Sequence, residues 1–298
     1  MKKILITGIN GFIGSNCANY FSKEGYELFG IDILGENSSK FVQGEVNIEN
    51  LKSFNQKFDI IIHLAGSGTV GVAQKYPELE YSKTVGSTEH ILEYLKLYNQ
   101  NAKLIYSSSA AVYGDLYNRP IKETDILNPI SIYGRHKVEA ETMCEEYHKK
   151  FGLNINIIRF FSIYGEGLKK QLLWDFSNRM RENFNQKFLN CFGSGKEERD
   201  YIHIGDVVAI INLLINAEKD FTVLNCGSGK NTKIRDILNL IINEQNYKGE
   251  LFFDNIIREG DPTSLTANIE KAKLLGFNPK ITLEDGISRY VEWFKQNN

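Results

Sequence analysis

Tyr133 and Lys137 lie in the stretch Ile132-Tyr133-Gly134-Arg135-His136-Lys137, four residues apart. In a helix that spacing puts them on one face, one turn apart. A lysine ammonium so placed can lower the pKa of the phenol and bond a ribose. The phenolate can then remove or return a hydroxyl proton at neutral pH. Ser109 closes the run Leu104-Ile105-Tyr106-Ser107-Ser108-Ser109, just past a strand, where it could bridge Tyr133 and a substrate oxygen. A Tyr-x-x-x-Lys pair by itself reads as two surface residues; it gains weight from what accompanies it.

The first companion is Thr7-Gly8-Ile9-Asn10-Gly11-Phe12-Ile13-Gly14, which follows a short apolar strand and opens a helix. Gly8 suits the tight turn, Gly11 lets the backbone approach a pyrophosphate, and Gly14 lets helix and strand pack closely. The helix N-terminus then offers unpaired N–H groups and a positive dipole end to phosphates. Asp32 ends the second strand 18 residues after Gly14, where a ribose diol would be held. A carboxylate there repels a 2′-phosphate, and no Arg or Lys occurs from Ile33 to Ser39, so the expected cofactor is NAD rather than NADP. Glu45 could accept from the adenine amino group, or be a solvated loop acid.

These residues need a scaffold. Ile4–Ile6, Leu28–Ile33, Asp59–Leu64, Lys103–Ser107 and Ile155–Phe160 read as short buried strands, with helical patterns at Asn16–Lys23 and Tyr81–Leu97 between them. Another helical stretch begins with Ile132-Tyr133 and runs to about Lys150. The alternation predicts an α/β fold: a Rossmann-like, doubly wound parallel sheet with helices on both faces, and a smaller α/β C-terminal substrate domain. Residues 1–165, with a returning segment at about 205–225, form the expected dinucleotide-binding region. Residues 166–298 form, in the main, the substrate region. Asp206–Ala217, Ile234–Asn243 and Leu283–Phe294 read as helices.

Composition excludes other classes. The chain has 298 residues, 42% hydrophobic and 24% charged, as ordinary globular domains do. A net charge of −2 does not advertise a nucleic-acid surface. The apolar run Ile4-Leu5-Ile6 is too short for a signal or anchor, and no stretch approaches a membrane span, so no membrane partner is expected. Cys17, Cys144, Cys191 and Cys226 form no CxxC pair and read as reduced, mostly buried thiols of a cytoplasmic protein. His63, His90, His136, His148 and His203 have no second ligand at metal spacing, so no metal site is expected.

The combined motifs resemble the extended short-chain dehydrogenase/reductases acting on nucleotide sugars, typified by UDP-sugar 4-epimerases. The resemblance rests on TGINGFIGS (7–15), HLAG (63–66), SSSAAVYG (107–114), YGRHK (133–137), RFFSIYGEG (159–167), ERDYIHIGDV (198–207), NCGSG (225–229) and REGDP (258–262), and spans nearly the whole chain. It implies Ser109, Tyr133 and Lys137 as the catalytic triad. Gly8, Gly11, Phe12, Ile13, Gly14, Asp32, Glu45, Leu64, Ala65, Gly66 and Ser107, with Tyr133 and Lys137, would contact NAD. Arg199 and Arg258 would clamp the diphosphate of the nucleotide sugar, as guanidinium geometry suits. Asp206 and Val207 read as structural. The family commonly dimerises through the Lys137 helix and the long helix before it, which suggests a homodimer with Leu92, Tyr94, Leu95, Met143 and Tyr147 as candidate face residues, core packing being the competing reading.

Departures narrow the chemistry. The family's dehydratases carry an acid pair just after the catalytic serine or threonine, where this chain has Ala110 and Ala111; 4,6-dehydration loses its proton donor, and the decarboxylating branch its glutamate. Ser162 replaces the asparagine of the RxFN motif, while Gly68 and Leu265 stand where galactose epimerases often carry a lysine and an aromatic. With Ser109, Tyr133, Arg199 and Arg258, these residues would line the sugar-nucleotide pocket. The expected activity is NAD-dependent 4-epimerisation of a nucleotide-diphosphate sugar, most simply a UDP-hexose. The alternative is a 4-reductase or 4-dehydrogenase on the same machinery. A non-catalytic dinucleotide sensor would usually have lost Tyr133 or Lys137.

Overall fold

Six short strands rich in β-branched residues lead the chain: β1 (Lys3–Thr7), β2 (Glu27–Asp32), β3 (Phe41–Gln43), β4 (Ile60–His63), β5 (Lys103–Ser109) and β6 (Ile155–Phe160). The computed structural model describes residues 1–66, 70–115, 119–218, 220–256 and 262–297. With a late strand, Phe221–Cys226, the six form one seven-stranded sheet in the order 221–226, β6, β5, β4, β1, β2, β3. The pairs from β6 to β3 run parallel. From β1 the chain first builds outward to β2 and β3, then returns to lay β4, β5 and β6 on the other side. Ligands of such sheets bind beyond the carboxyl ends of the strands at this switch point. The register puts Thr7 beside Ile31 and His63, and His63 beside Tyr106.

Helices α1 (Phe12–Lys23), α2 (Ile48–Ser53), α3 (Val70–Lys75), α4 (Pro77–Tyr81), α5 (Ser87–Tyr98) and α6 (Ile132–Phe151) accompany these strands. Leu5, Ile61, Leu104 and Ile155 of the sheet share one core with Leu92 and Leu95 of α5 and Ala140 and Cys144 of α6. Each Leu and Ile among them contributes about 1.5–3 kcal/mol by leaving water. Leu92, Leu95 and Tyr94 are 0%, 0% and 2% exposed, so of the two readings offered for them the core reading holds. Met143 and Tyr147 pack partly against the same core.

The helix expected from Tyr81 to Leu97 is interrupted. Between α4 and α5 lies a π-helical turn, Ser82–Gly86. The Ser87 and Thr88 hydroxyls donate to the carbonyls of Lys83 and Thr84, at 2.6 Å each, and so compete with the backbone for that turn.

Two compact units are present. The first comprises Met1–Leu116, Glu123–Phe160 and Val208–Asn225; the second comprises Tyr117–Lys122, Phe161–Val207 and Cys226–Asn298. In the second, short strands pair as 232–233 with 198–199 with 264–265, as 162–164 with 201–203, and as 188–191 with 250–253. Its helices include Gln171–Glu182, Ile234–Gln245 and Leu283–Gln296. Buried carboxylates tie it together: Asp206 accepts from the N–H groups of Lys280 (3.0 Å) and Ile281 (3.1 Å), as suits a structural residue. Asp200 accepts from the N–H groups of Ser228, Gly229 and Ala267. All four cysteines are buried and unpaired. Among the described residues no helix is long and apolar enough to cross a membrane, and no group of three or more His, Cys, Asp or Glu could hold a metal ion.

Candidate active site

The glycine turn sits at the carboxyl end of β1. Gly8 has φ +69, and a β-carbon on it would lie 2.9 Å from the Ala65 nitrogen. One on Gly14 would lie 2.1 Å from the Gly8 carbonyl oxygen, so α1 starts directly against the turn. Gly11 caps α1 with no side-chain partner, which leaves the helix's first N–H groups for an anion. Asp32 faces this turn: its Oδ2 accepts from Asn10 N (2.9 Å) and its Oδ1 from Leu34 N (3.2 Å). A carboxylate has about four acceptor directions, so two remain for a ribose diol. The bare turn, the free helix end and this carboxylate fit a dinucleotide. Phe12 and Ile13 open α1 half-buried, and Glu45 is exposed. The Glu45 carbonyl accepts from Asn50 Nδ2 (2.7 Å).

Thr7 joins the turn to β4. Its hydroxyl oxygen accepts from Leu64 N (3.2 Å) and Ala65 N (3.1 Å), so its proton goes to His63 Nδ1 (2.7 Å). His63 must then carry its proton on Nε2, which faces the Ser87 (3.2 Å) and Thr88 (3.4 Å) hydroxyl oxygens. Burial, helped by the charge of Lys137, lowers the His63 pKa to about 3. This histidine is a fixed neutral connector.

Ser109, Tyr133 and Lys137 come together in the first unit. Ser109 ends β5 and caps a single turn, Ala110–Val112, where it accepts from Ala111 N (3.2 Å). Its hydroxyl is close enough to the Tyr133 phenol to favour the ionised form of that phenol. Ser131 caps α6 by accepting from Gly134 N (3.1 Å), which starts the helix just before Tyr133. The Lys137 ammonium donates to the Ser107 carbonyl (2.7 Å) and lies 5.9 Å from the Tyr133 ring centre. The spacing predicts a phenol acidified by this ammonium. Burial dominates instead: the Tyr133 phenol is pushed up to about 12, although Ser109 pulls the other way. Burial likewise brings the Lys137 ammonium down to about 8, against the pull of Glu80 and Glu141.

Behind the pair, Arg159 of β6 grips Glu141 of α6 through Nε (3.0 Å) and Nη2 (2.6 Å), and its Nη1 donates to the Tyr113 hydroxyl (2.8 Å). Ser108 also donates to Glu141. A second buried pair escaped the sequence reading, which took His136 as lone. Glu80 is 0% exposed; it accepts from Thr84 Oγ1 (2.5 Å) and from His136 Nδ1.

The model of the NAD dependent epimerase/dehydratase family matches residues 4–227. The chain belongs to this family. It is 30% identical, over 99% of each chain, to a Methanocaldococcus jannaschii protein that carries the provisional name UDP-glucose 4-epimerase. Among solved structures it resembles the Thermotoga maritima UDP-glucose 4-epimerase with UDP-glucose (27% identity, TM-score 0.89, 99% of each chain). It also resembles the Bacillus cereus UDP-glucuronic acid 4-epimerase in complex with UDP-glucuronic acid and NAD (26% identity, TM-score 0.88, 99% of this chain and 100% of that one).

The remaining residues expected in this epimerase/dehydratase chain fall in the second unit or outside the described residues. Ser162 pairs through its N–H with the Asp200 carbonyl (2.9 Å), and Leu265 is buried in the strand beside Arg199. Arg199 Nη1 donates to the Glu198 carbonyl (2.8 Å), and among the described residues it forms no ion pair with a carboxylate. Gly68 and Arg258 lie outside the described residues.

Proposed function

We propose that this protein is an NAD-dependent 4-epimerase of a UDP-sugar. The observation that carries the reading is the Ser109–Tyr133–Lys137 group next to Ala110 and Ala111. The site holds a hydroxyl proton shuttle and no acid on that turn to expel a second group. The names of the relatives support the same chemistry.

Asp32 would hold the adenosine ribose and the α1 N-terminus the pyrophosphate. Bound NAD would take the C4 hydride of the sugar and return it. Tyr133 removes the C4 hydroxyl proton and gives it back to the same oxygen after the 4-keto sugar has turned its other face to the hydride. Ser109 keeps the substrate oxygen and the phenol in one hydrogen-bonded line. Lys137 lends positive charge to the forming phenolate, so it acts in its ammonium form. In the second unit, Arg199 is our candidate for the diphosphate. The four buried thiols support a reducing, cytoplasmic setting. A homodimer through α5 and α6 completes the reading, supported by the exposure of Leu97 (56%) and Tyr98 (41%) at the end of α5.

The test is incubation of the protein and NAD with UDP-glucose and UDP-glucuronate, with chromatography of the sugars and absorbance of reduced nicotinamide followed together. Interconversion of 4-epimers without net reduction is expected. Stoichiometric NADH would identify a dehydrogenase and overturn the reading. Tyr133→Phe should fold and bind NAD as wild type does, with turnover down by about a hundredfold or more.

A further inference from the structure

The Glu80–His136 pair calls for an explanation. A fully buried carboxylate is costly unless its charge is answered, and Glu80 sits fully buried in the five-residue α4. His136 is the residue before Lys137 and three after Tyr133, so it shares the helical turn that carries both. Glu80 reaches the same place from the other side through Thr84. A β-carbon on Gly66 would lie 3.7 Å from Thr84 Oγ1 and 4.0 Å from Lys137 Nζ, so the Thr84 hydroxyl and the ammonium border one small space. Thr84 is held there by the π-helical turn, a feature often found at functional sites. Through the Thr84 carbonyl, which accepts from Thr88, the pair also connects to His63 and Thr7 at the glycine turn.

We propose that Glu80 and His136 form a positioning pair for Tyr133 and Lys137: a buried carboxylate, locked by imidazole and threonine hydroxyl, that fixes the active turn of α6 and supplies the negative charge facing the Lys137 ammonium. This rests on the reading that Tyr133 and Lys137 perform the proton transfer. The titratable groups facing Lys137 are Glu80 from α4, His63 at the end of β4, Tyr106 in β5, and Tyr133, Glu141 and Cys144 on α6. Glu141 is already answered by Arg159, with which it forms a buried ion pair. Of the acids that favour the protonated Lys137, Glu80 has the larger pull, ahead of Glu141. His136 keeps that acid in place, with the Tyr81 ring packed edge-on against the imidazole at 5.2 Å.

Glu80→Gln is the discriminating variant. It keeps the shape and the acceptor for Thr84 and removes only the charge. Lysine side-chain NMR of the free protein, with Lys137 assigned by Lys137→Arg, reads the ammonium directly. Its titration midpoint should fall by about one pH unit, the scale of a close opposite charge. Epimerase kcat should then be about fivefold below wild type at pH 8 and close to it at pH 6, with KM little changed. An unmoved midpoint overturns the proposal, and so does a loss of rate that is equal at every pH. Should Glu80→Gln fail to fold, the double variant Glu80→Leu/His136→Leu replaces the pair by apolar bulk. It should show the same lowered midpoint, and a wild-type midpoint and rate in it overturn the proposal. If the wild-type protein turns over no UDP-sugar, the function reading fails while the NMR arm still decides this one.

Discussion

Replacing Asp32 by alanine should turn an NAD-selective site into a weak and indifferent one. The carboxylate spends two of its acceptor directions on Asn10 N and Leu34 N, which hold the glycine turn and the loop after β2 against each other. Two directions remain for the ribose hydroxyls. A hydrogen bond to a charged group is worth about 1.5–3 kcal/mol, so two lost bonds cost about 3–6 kcal/mol. Asp32 is half-buried, water can take over part of the solvation, and the lower end applies. About 3 kcal/mol corresponds to a roughly hundredfold rise in Kd for NAD. NADP should lose far less, because the repulsion of its 2′-phosphate disappears with the carboxylate. The assay is calorimetric titration of both dinucleotides at one ionic strength, with Asp32→Asn as a control. Asparagine keeps one oxygen and no charge, so it should fall between wild type and alanine for NAD. A wild-type protein that binds NADP as tightly as NAD would refute the argument. So would an alanine variant whose NAD affinity changes by less than about threefold, under 1 kcal/mol.

Other outcomes follow from the same geometry. Burial lowers Lys137 to about 8, against the usual 10.5, so between those pH values the unfolded chain binds more protons at this site than the folded one, and the site adds stability as pH rises. Lys137→Met should remove up to about 3 kcal/mol of that rise, read as the difference in urea midpoints between pH 8 and pH 10.5, and identical pH slopes would contradict it. Arg159→Met strands the buried Glu141 carboxylate and should cost about 3–5 kcal/mol in chemical unfolding, while Arg159→Met/Glu141→Leu should recover much of it. Arg199→Ala should weaken UDP binding by about 2–5 kcal/mol and leave NAD affinity unchanged, and equal UDP affinity in calorimetry would remove Arg199 from the diphosphate site.

The parts of the site that the sequence displays are those whose chemistry is local. The Gly8–Gly14 turn, Asp32 at the end of β2, and the Tyr133/Lys137 spacing each lie within one strand–helix junction, so the residue types and distances along the chain suffice. Five of the strand runs were legible for the same reason, while the short β3 was not, and the helix expected over Tyr81–Leu97 is broken by the π-helical turn before α5. Glu80 was not legible. Pro77-Glu78-Leu79-Glu80 has the composition of a solvated helix start, and it is the packing of α4 against α3, the π-helical turn and α6 that buries the second acid. His136 reads as a lone histidine because its partner lies 56 residues away. The sign of the Tyr133 shift was missed for a related reason: spacing reports which charge is near, whereas burial depends on everything that covers the ring. Tyr94 and Leu92 show the same limit, since a helical apolar stripe does not say whether its partner is the chain's own sheet or another molecule.

The parallel sheet also decides where this protein can be edited. Asp32 and Ser109 end their strands, and Lys137 of α6 reaches the Ser107 carbonyl near the same end of β5, while the returns into β2, β5 and β6, near Gly25, Asn99–Ala102 and Gly152, lie at the opposite ends. β5 alone holds those ends apart by seven residues, about 23 Å of extended chain. A label, an epitope or a new pair of termini at Gly25 or Gly152 thus stands a full sheet length from Asp32 and Ser109. An insertion at that rim should therefore leave NAD affinity and turnover as they are, whereas one of the same length after β2 or β5 should not.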